Sequence, residues 1–259
     1  RLTTDLRRAL ARDELLLMYQ PLISLKDPAH ISFEALIRWQ HPEFGLVSPG
    51  DFIPMAELTG AIVPVGRWVL ATAAAQAKAW QCAFPDRADR LMLSVNISAR
   101  QFQETDLVEF FTGLTQESAL TPGQLKLELT ESALMEHPDR ANETLYALKA
   151  LGLSLWVDDF GTGYSSLSYL RRFPIDGLKI DRSFVSPPSS NEDLRKIVLS
   201  VIELGHSLDL QVVAEGVENE DQLEFVTANG CDLAQGYYFS RPVSADSATE
   251  LIREWDERF

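Results

Sequence analysis

Cysteine is scarce. Cys82 and Cys231 are all that 259 residues hold, too few and too far apart for a disulfide framework or a thiolate metal site. That fits a reducing compartment, or two buried structural thiols. Cationic side chains are also short: 23 Lys and Arg face 38 Asp and Glu, a formal net charge of −15. An extended grip on a DNA or RNA backbone is therefore excluded, because such binding rests on Lys and Arg displacing counterions. A small anion held through divalent metal stays compatible with the charge. The four histidines, His30, His41, His137 and His206, share no spacing and are expected away from strand ends, which argues against zinc.

Long hydrophobic runs are missing too. The most apolar stretch, Gly60 to Ala77, contains Pro64 and Arg67 and falls short of the ~20 uninterrupted residues of a membrane span. There is no basic-then-apolar leader, no Ser/Gly linker and no period-sized repeat, so the expectation is one domain over residues 1–259 with no membrane contact of its own, cut from a longer protein.

What is present is alternation. Short β-rich runs lie at Leu15–Leu22, Ser32–Arg38, Leu91–Asn96, Leu125–Leu129, Ser154–Asp158, Gly177–Lys179, Leu210–Ala214 and Cys231–Ala234, separated by amphipathic stretches. The best helix is Asn191–Leu204, with Asn191 as N-cap and Leu194, Ile197, Val198, Val201 and Ile202 on one face. Others are expected at Val69–Trp80, at Asn142–Leu151 ending on Gly152, and at Gln222–Ala228 stopped by Gly230. Eight strands with intervening helices suit a (β/α)8 TIM-type barrel or a doubly wound open sheet. Nearly every run closes on a polar residue: Gln20, Glu34 with Arg38, Asn96, Glu128, Asp158 with Asp159, Lys179, Glu215 and Gln235. A barrel gathers all of these at one mouth and an open sheet would spread them, so the barrel is favoured.

Glu34, Glu128, Asp158, Asp159 and Glu215 with Asn96 form an oxygen-rich donor set without thiolate or imidazole, which suits hard divalent ions. Five acids suggest two metals and an in-line displacement at phosphorus. The Asp158–Asp159 pair is expected at a strand's end, where both carboxylates can turn toward one site, since within a regular strand one would point into the apolar layer. Lys179 is the one cation among these ends. Partial burial near metals would lower its pKa, making it a base for the attacking water or a fixed charge beside it; an ion pair with Asp176 or Asp181 is the structural alternative. Arg38 suits a phosphate, or a salt bridge with Glu34 or Glu57. Phe160–Ser166 is Gly-rich and leads into a helix, so it could cradle phosphate or act as a mobile loop. Tyr237-Tyr238-Phe239 could stack on a purine, although barrel packing is the more ordinary use of such a run.

Glu34-Ala35-Leu36 with Arg38 resembles the signature of the EAL domains, bacterial phosphodiesterases of cyclic di-GMP. The tripeptide is weak by itself. The string that follows is specific: Tyr19-Gln20-Pro21, Val95-Asn96-Ile97-Ser98, Glu128-Leu129-Thr130-Glu131, Asp158-Asp159-Phe160-Gly161-Thr162-Gly163, Leu178-Lys179-Ile180-Asp181, Ala214-Glu215-Gly216-Val217-Glu218 and Gln235-Gly236-Tyr237 with Pro242. The resemblance implies a modified barrel with an antiparallel first strand, and hydrolysis of cyclic di-GMP to linear pGpG with two Mg2+ or Mn2+ ions, inhibited by Ca2+. By similarity Glu34, Asn96, Glu128 and Asp158 would hold one metal, and Asp158 and Asp159 with Glu215 the other. Lys179 and Gln235 would position the water, Gln20, Arg38 and Asp181 would contact the ligand, Glu131 would hold the loop Phe160–Ser166, and Glu218 would support the site. The family further implies a homodimer, an upstream sensory or GGDEF-type domain and a cytoplasmic location. Some members only bind cyclic di-GMP, so a silent receptor is the alternative; a metal-dependent barrel lyase using Lys179 toward carbon is a more distant one.

Overall fold

A computed structural model describes residues 2–118, 120–121, 123–162, 167–185 and 192–259. Its strands are β1 (Leu15–Ser24), β2 (Ile31–His41), β3 (Gly45–Val47), β4 (Leu91–Ile97), β5 (Leu125–Thr130), β6 (Ser154–Phe160), β7 (Gly177–Ile180), β8 (Gln211–Ala214) and β9 (Leu233–Ala234). They close in the order β1-β2-β4-β5-β6-β7-β8-β9 and back to β1, with β3 outside the ring against the end of β2. β1 is antiparallel to both neighbours, and the remaining barrel pairings are parallel. The expected modified barrel is thus the fold found. β3 escaped the sequence reading because three residues pairing Trp39↔Val47 to His41↔Gly45 are too few to show a period.

Alternation sorts the strands in a particular way. In β4, β5 and β6 the apolar positions Leu93, Val95, Leu127, Leu129, Leu155 and Val157 are buried in the main core, which includes helical residues from the surrounding ring. The intervening positions, Ser94 and Asn96, Lys126 and Glu128, Trp156 and Asp158, line the barrel itself. The interior therefore holds only a small apolar cluster of Leu22, Trp156, Val213 and Leu233. Gly177 makes room for it: a Cβ there would lie 2.3 Å from the Trp156 ring.

The helices cover the outside. Ile62–Ala83 buries Val65, Val69, Leu70, Ala73, Ala74, Ala77 and Trp80, a face whose alanines allow close approach to the sheet. The helix expected from Asn191 is Glu192–Ser207, and Asn191 itself lies outside the described residues. Pro138–Ala150 precedes Gly152, whose φ of +82° ends the helix as expected. Glu220–Ala228 is capped by Asn219, which accepts from the Gln222 amide while the Gln222 side chain reaches back.

Two β1–β9 residue pairs, Ile23↔Ala234 and Ser24↔Leu233, complete the ring. A polar clasp reinforces this seam. Asp232 accepts from Lys26 Nζ at 2.5 Å and from the Val212 amide at 2.8 Å, and meets His206 Nε2 at 2.9 Å. Those contacts outweigh burial and hold the Asp232 carboxyl below its ordinary range. Cys231 beside it is buried, with its thiol pushed up to about 12 by burial. Cys82 is exposed, not buried as one reading of the composition had it, because it sits on the outer side of its helix. His41 is also an exception: it ends β2, but it is turned away from the mouth, packing on Trp39 and Phe44. Among the described residues no helix is long and apolar enough to cross a membrane.

Candidate active site

The C-terminal ends of four strands bring carboxylates around one ammonium. Lys179 Nζ, on β7, lies 2.6 Å from Glu215 Oε1, 2.7 Å from Glu128 Oε2, 3.4 Å from Glu34 Oε2 and 3.7 Å from Asp158 Oδ1. Lys179 is fully buried. Burial alone would lower its pKa, yet the surrounding carboxylates win and raise it well above the usual lysine value. This reverses the expected lowering, and Lys179 is a fixed cation in this arrangement. The alternative pairs with Asp176 or Asp181 are also absent. Asp176 is taken by Lys149 at 2.6 Å, by Ser154 Oγ and by the Leu155 amide, and Asp181 accepts from the Ser183 amide.

The acids respond unequally. Burial raises Glu128 well above the carboxylate range and raises Asp158, with Lys179 only partly opposing it. Glu215 is pushed up to about 8, first by burial and then by Asp158 and Glu34. Glu34 goes the other way. Burial would raise it, but the Lys179 charge and hydrogen bonds from Gln235 Nε2 (2.8 Å) and Asn96 Nδ2 (2.6 Å) hold it below its usual value. Several acids biased toward holding protons around one lysine mark a surplus of negative charge that a divalent cation would relieve.

The Asp158–Asp159 pair sits at the C-terminal end of its strand, as expected. It lies within β6, before Phe160, and the pairing of β6 with β7 shifts register between Val157 and Phe160. Asp159 adopts φ +53°, a left-handed conformation uncommon outside glycine, Asn and Asp. That irregularity lets two successive carboxylates serve one site. One ligand atom each from Asp158, Asp159 and Glu215 lies within 4.8 Å of the others, spacing that suits one hard cation. Asp159 is pushed up to about 6 by burial and by Asp158. Asn96 donates its amide nitrogen to Glu34, and Gln235 Oε1 is buried without a partner among the described residues. These residues fit the divalent ions implied by the sequence.

A cavity of about 240 Å3 opens above them, lined by Gln20, Glu34, Leu36, Asp158, Arg182, Glu215, Gly216, Glu218, Gln235, Gly236 and Tyr237. Gln20 reaches it from β1, accepting from Gln235 Nε2 at 3.2 Å and donating to the Ser240 carbonyl at 3.1 Å. Arg38 is not in the lining. It shares the Glu34 and Leu36 face but lies further along β2, where its Nη1 donates to the Ile37 carbonyl at 2.8 Å. It forms no salt bridge with Glu34 or Glu57. Asp181 likewise stays out of the lining, while Glu218 is in it.

Glu131 Oε2 accepts from the Gly161 amide at 3.3 Å, and Thr162 Oγ1 donates to the Asp159 carbonyl at 2.8 Å, so the start of the Gly-rich segment is tied to β5 and β6. Phe160 is buried in the core as the last residue of β6 rather than part of a loop. Gly163 and the rest of that segment to residue 166 lie outside the described residues. Barrel packing, the ordinary reading of the aromatic run, is corrected for Tyr237 and Tyr238: both are exposed, and Tyr237 has the Arg241 guanidinium 4.3 Å from its ring centroid. Arg182 and Leu36 were missed as lining residues. Arg182 could have been found by extending the strand-end logic two residues beyond Ile180.

Comparison with known proteins gives one consistent answer. The EAL domain profile matches residues 3–242. The bifunctional diguanylate cyclase/cyclic di-GMP phosphodiesterase MucR of Pseudomonas aeruginosa is 44% identical over 242 residues, 93% of this chain and 35% of MucR. The cyclic di-GMP phosphodiesterase PdeR of Escherichia coli is 41% identical over 258 residues, 100% of this chain and 38% of PdeR. The solved structure of the PaMucR phosphodiesterase in complex with c-di-GMP superposes with a TM-score of 0.89 at 42% identity, covering 95% of this chain and 98% of that one. The chain spans about a third of the length of these curated relatives. With the motif string, the closed barrel and its acid-ringed lysine all in place, the chain belongs to the EAL domain family.

Proposed function

We propose that this chain hydrolyses one phosphodiester bond of cyclic di-GMP, giving linear pGpG, as a signalling phosphodiesterase that requires two Mg2+ or Mn2+ ions and is inhibited by Ca2+. The observation that carries the reading is the buried Lys179 ringed by Glu34, Glu128, Asp158 and Glu215 beneath an open cavity. Relatives named as cyclic di-GMP phosphodiesterases support the substrate.

Glu34, Asn96, Glu128 and Asp158 would hold one ion, and Asp158, Asp159 and Glu215 the other. When bound, the ions supply the positive charge that activates water and steadies the phosphoryl and leaving oxygens. The remaining work belongs to the chain. Lys179 keeps the acids gathered and holds a fixed positive charge at the base of the site. Gln235 donates to Glu34 and Gln20, which aims its free Oε1 as an acceptor for the attacking water. Gln20, tied to the Ser240 carbonyl, presents a polar wall to the ligand, and Glu131 steadies the backbone after Asp159 through the Gly161 amide. We further propose that residues 1–259 act as one unit of a longer cytoplasmic protein with sensory or GGDEF-type domains upstream, and as a homodimer.

The test is chromatography of cyclic di-GMP incubated with the purified chain and Mg2+ or Mn2+, with chelator and Glu34→Ala controls. Metal-dependent pGpG, lost in both controls, is the expected result. Binding by calorimetry without product in either metal would overturn hydrolysis and favour a receptor.

A further inference from the structure

The cavity lining is electrically lopsided. Four of its side chains are acids, Glu34, Asp158, Glu215 and Glu218, and one is a cation, Arg182. The ligand class proposed above carries two phosphates on opposite sides of a ring. Only one can lie on the two-ion cluster. The other keeps its negative charge and sits over a lining that includes Glu218, where like charges repel.

Arg182 is placed to answer that charge. It is the first residue of the short helix Arg182–Val185, which begins directly after Asp181 at the mouth end of β7, so its backbone is fixed by the strand that carries Lys179. Its side chain is exposed and lines the cavity. Among the described residues its guanidinium has no ion pair, hydrogen bond or ring contact, unlike Arg38 and Arg241 near the mouth. Arg38 is turned onto the Ile37 carbonyl, and Arg241 lies over the Tyr237 ring. An unengaged guanidinium beside an anion site offers a planar fork of donors that fits two phosphate oxygens.

We infer that Arg182 binds the second, uncleaved phosphate of the cyclic dinucleotide, and so sets affinity for the cyclic ligand without taking part in bond cleavage. This rests on the phosphodiesterase reading. Arg182 acts in binding, where an interaction equally strong in ground and transition states moves KM and leaves kcat.

Steady-state kinetics with cyclic di-GMP and Mn2+ on the wild type, Arg182→Ala and Arg182→Lys test it, alongside calorimetric binding of cyclic di-GMP in Ca2+ and of Mn2+ alone. The expected result is a KM about tenfold higher for Arg182→Ala, kcat within twofold, a matching weakening of binding in Ca2+, partial recovery in Arg182→Lys, and unchanged Mn2+ binding. An unchanged KM overturns the assignment. So does a kcat that falls as far as KM rises, which would place Arg182 on the cleaved phosphate. If the wild type neither binds nor cleaves cyclic di-GMP, the phosphodiesterase reading fails and takes this inference with it; if the wild type cleaves and the variants match it, only Arg182 is reassigned.

Discussion

The barrel interior holds two buried lysines, and they live opposite lives. Lys179, near the mouth, has four carboxylates within 4 Å. Lys126, toward the floor on β5, points its Nζ at the Trp156 ring, 4.8 Å from the centroid. Both suffer the same penalty of burial. At the mouth that penalty is reversed by neighbours of opposite sign. At the floor Glu128 and Asp176 only partly oppose it, and Lys126 is drawn down to about 8. Around Lys126 the polar atoms are sparse and poorly matched: Ser32 Oγ, Ser94 Oγ and His30 Nε2 are buried without partners among the described residues. Burial by itself therefore does not decide whether a lysine is a fixed charge. The sign and closeness of what surrounds it does, and only the mouth has been given a surplus of acids.

The comparison can be broken hardest at the mouth. Lys179→Met leaves four buried acids facing one another; turnover of cyclic di-GMP should fall about a thousandfold, and stability in chelator should drop by about 3–5 kcal/mol. Urea titrations with and without Mn2+ would check it: added Mn2+ should restore much of the stability and none of the rate. At the floor, the plug is the sensitive point. Gly177→Ala drives a methyl into the Trp156 ring and should cost about 2–3 kcal/mol by overpacking, read by thermal melting.

His30 gives the floor a pH dependence. Burial, helped by Lys126, lowers its pKa to about 4 from an ordinary 6.5, so the unfolded chain takes up the proton first. Stability is then full above 6.5 and declines as pH falls from 6.5 toward 4, by about 2 kcal/mol at pH 5. His30→Gln should flatten that part of the profile. The smallest effect sharpens the contrast: Lys126→Met swaps an ammonium without a close carboxylate for an apolar side chain against Trp156, and should change activity less than twofold while stabilising by about 1 kcal/mol. A loss of stability would mean that the floor lysine has a partner the contrast overlooks.

Much of this was legible before any coordinates. Glu34, Asn96, Glu128, Lys179 and Gln235 stood out because β-strand alternation, with polar residues at each run's end, is a local pattern. The left-handed Asp159 was not, since a register shift is a property of two strands together. Lys179's pKa was read in the wrong direction because a single strand shows the lysine and its burial, but the acids that reverse the outcome come from four other strands. Arg182 lies two residues beyond the end of β7, outside the strand pattern that marks the other site residues. An aromatic run does not announce which side of a turn it faces, so sequence alone does not show that Tyr237 is exposed.

The seam between β1 and β9 has a consequence for how the molecule comes into being. Strands β2 to β8 can pair in chain order, each parallel neighbour arriving with its covering helix. The ring itself joins residues 23 and 24 to residues 233 and 234, among the most distant pairings in the chain. During synthesis the barrel must wait as an open, curved sheet until its last strand emerges, with a raw edge on β8 and the Lys26–Asp232 clasp unmade. Closure is thus the late, slow event, and the Gln20–Gln235 contact, which spans the same seam, completes the mouth only at that moment. A chain made only as far as β8 holds most of the acids and no finished site.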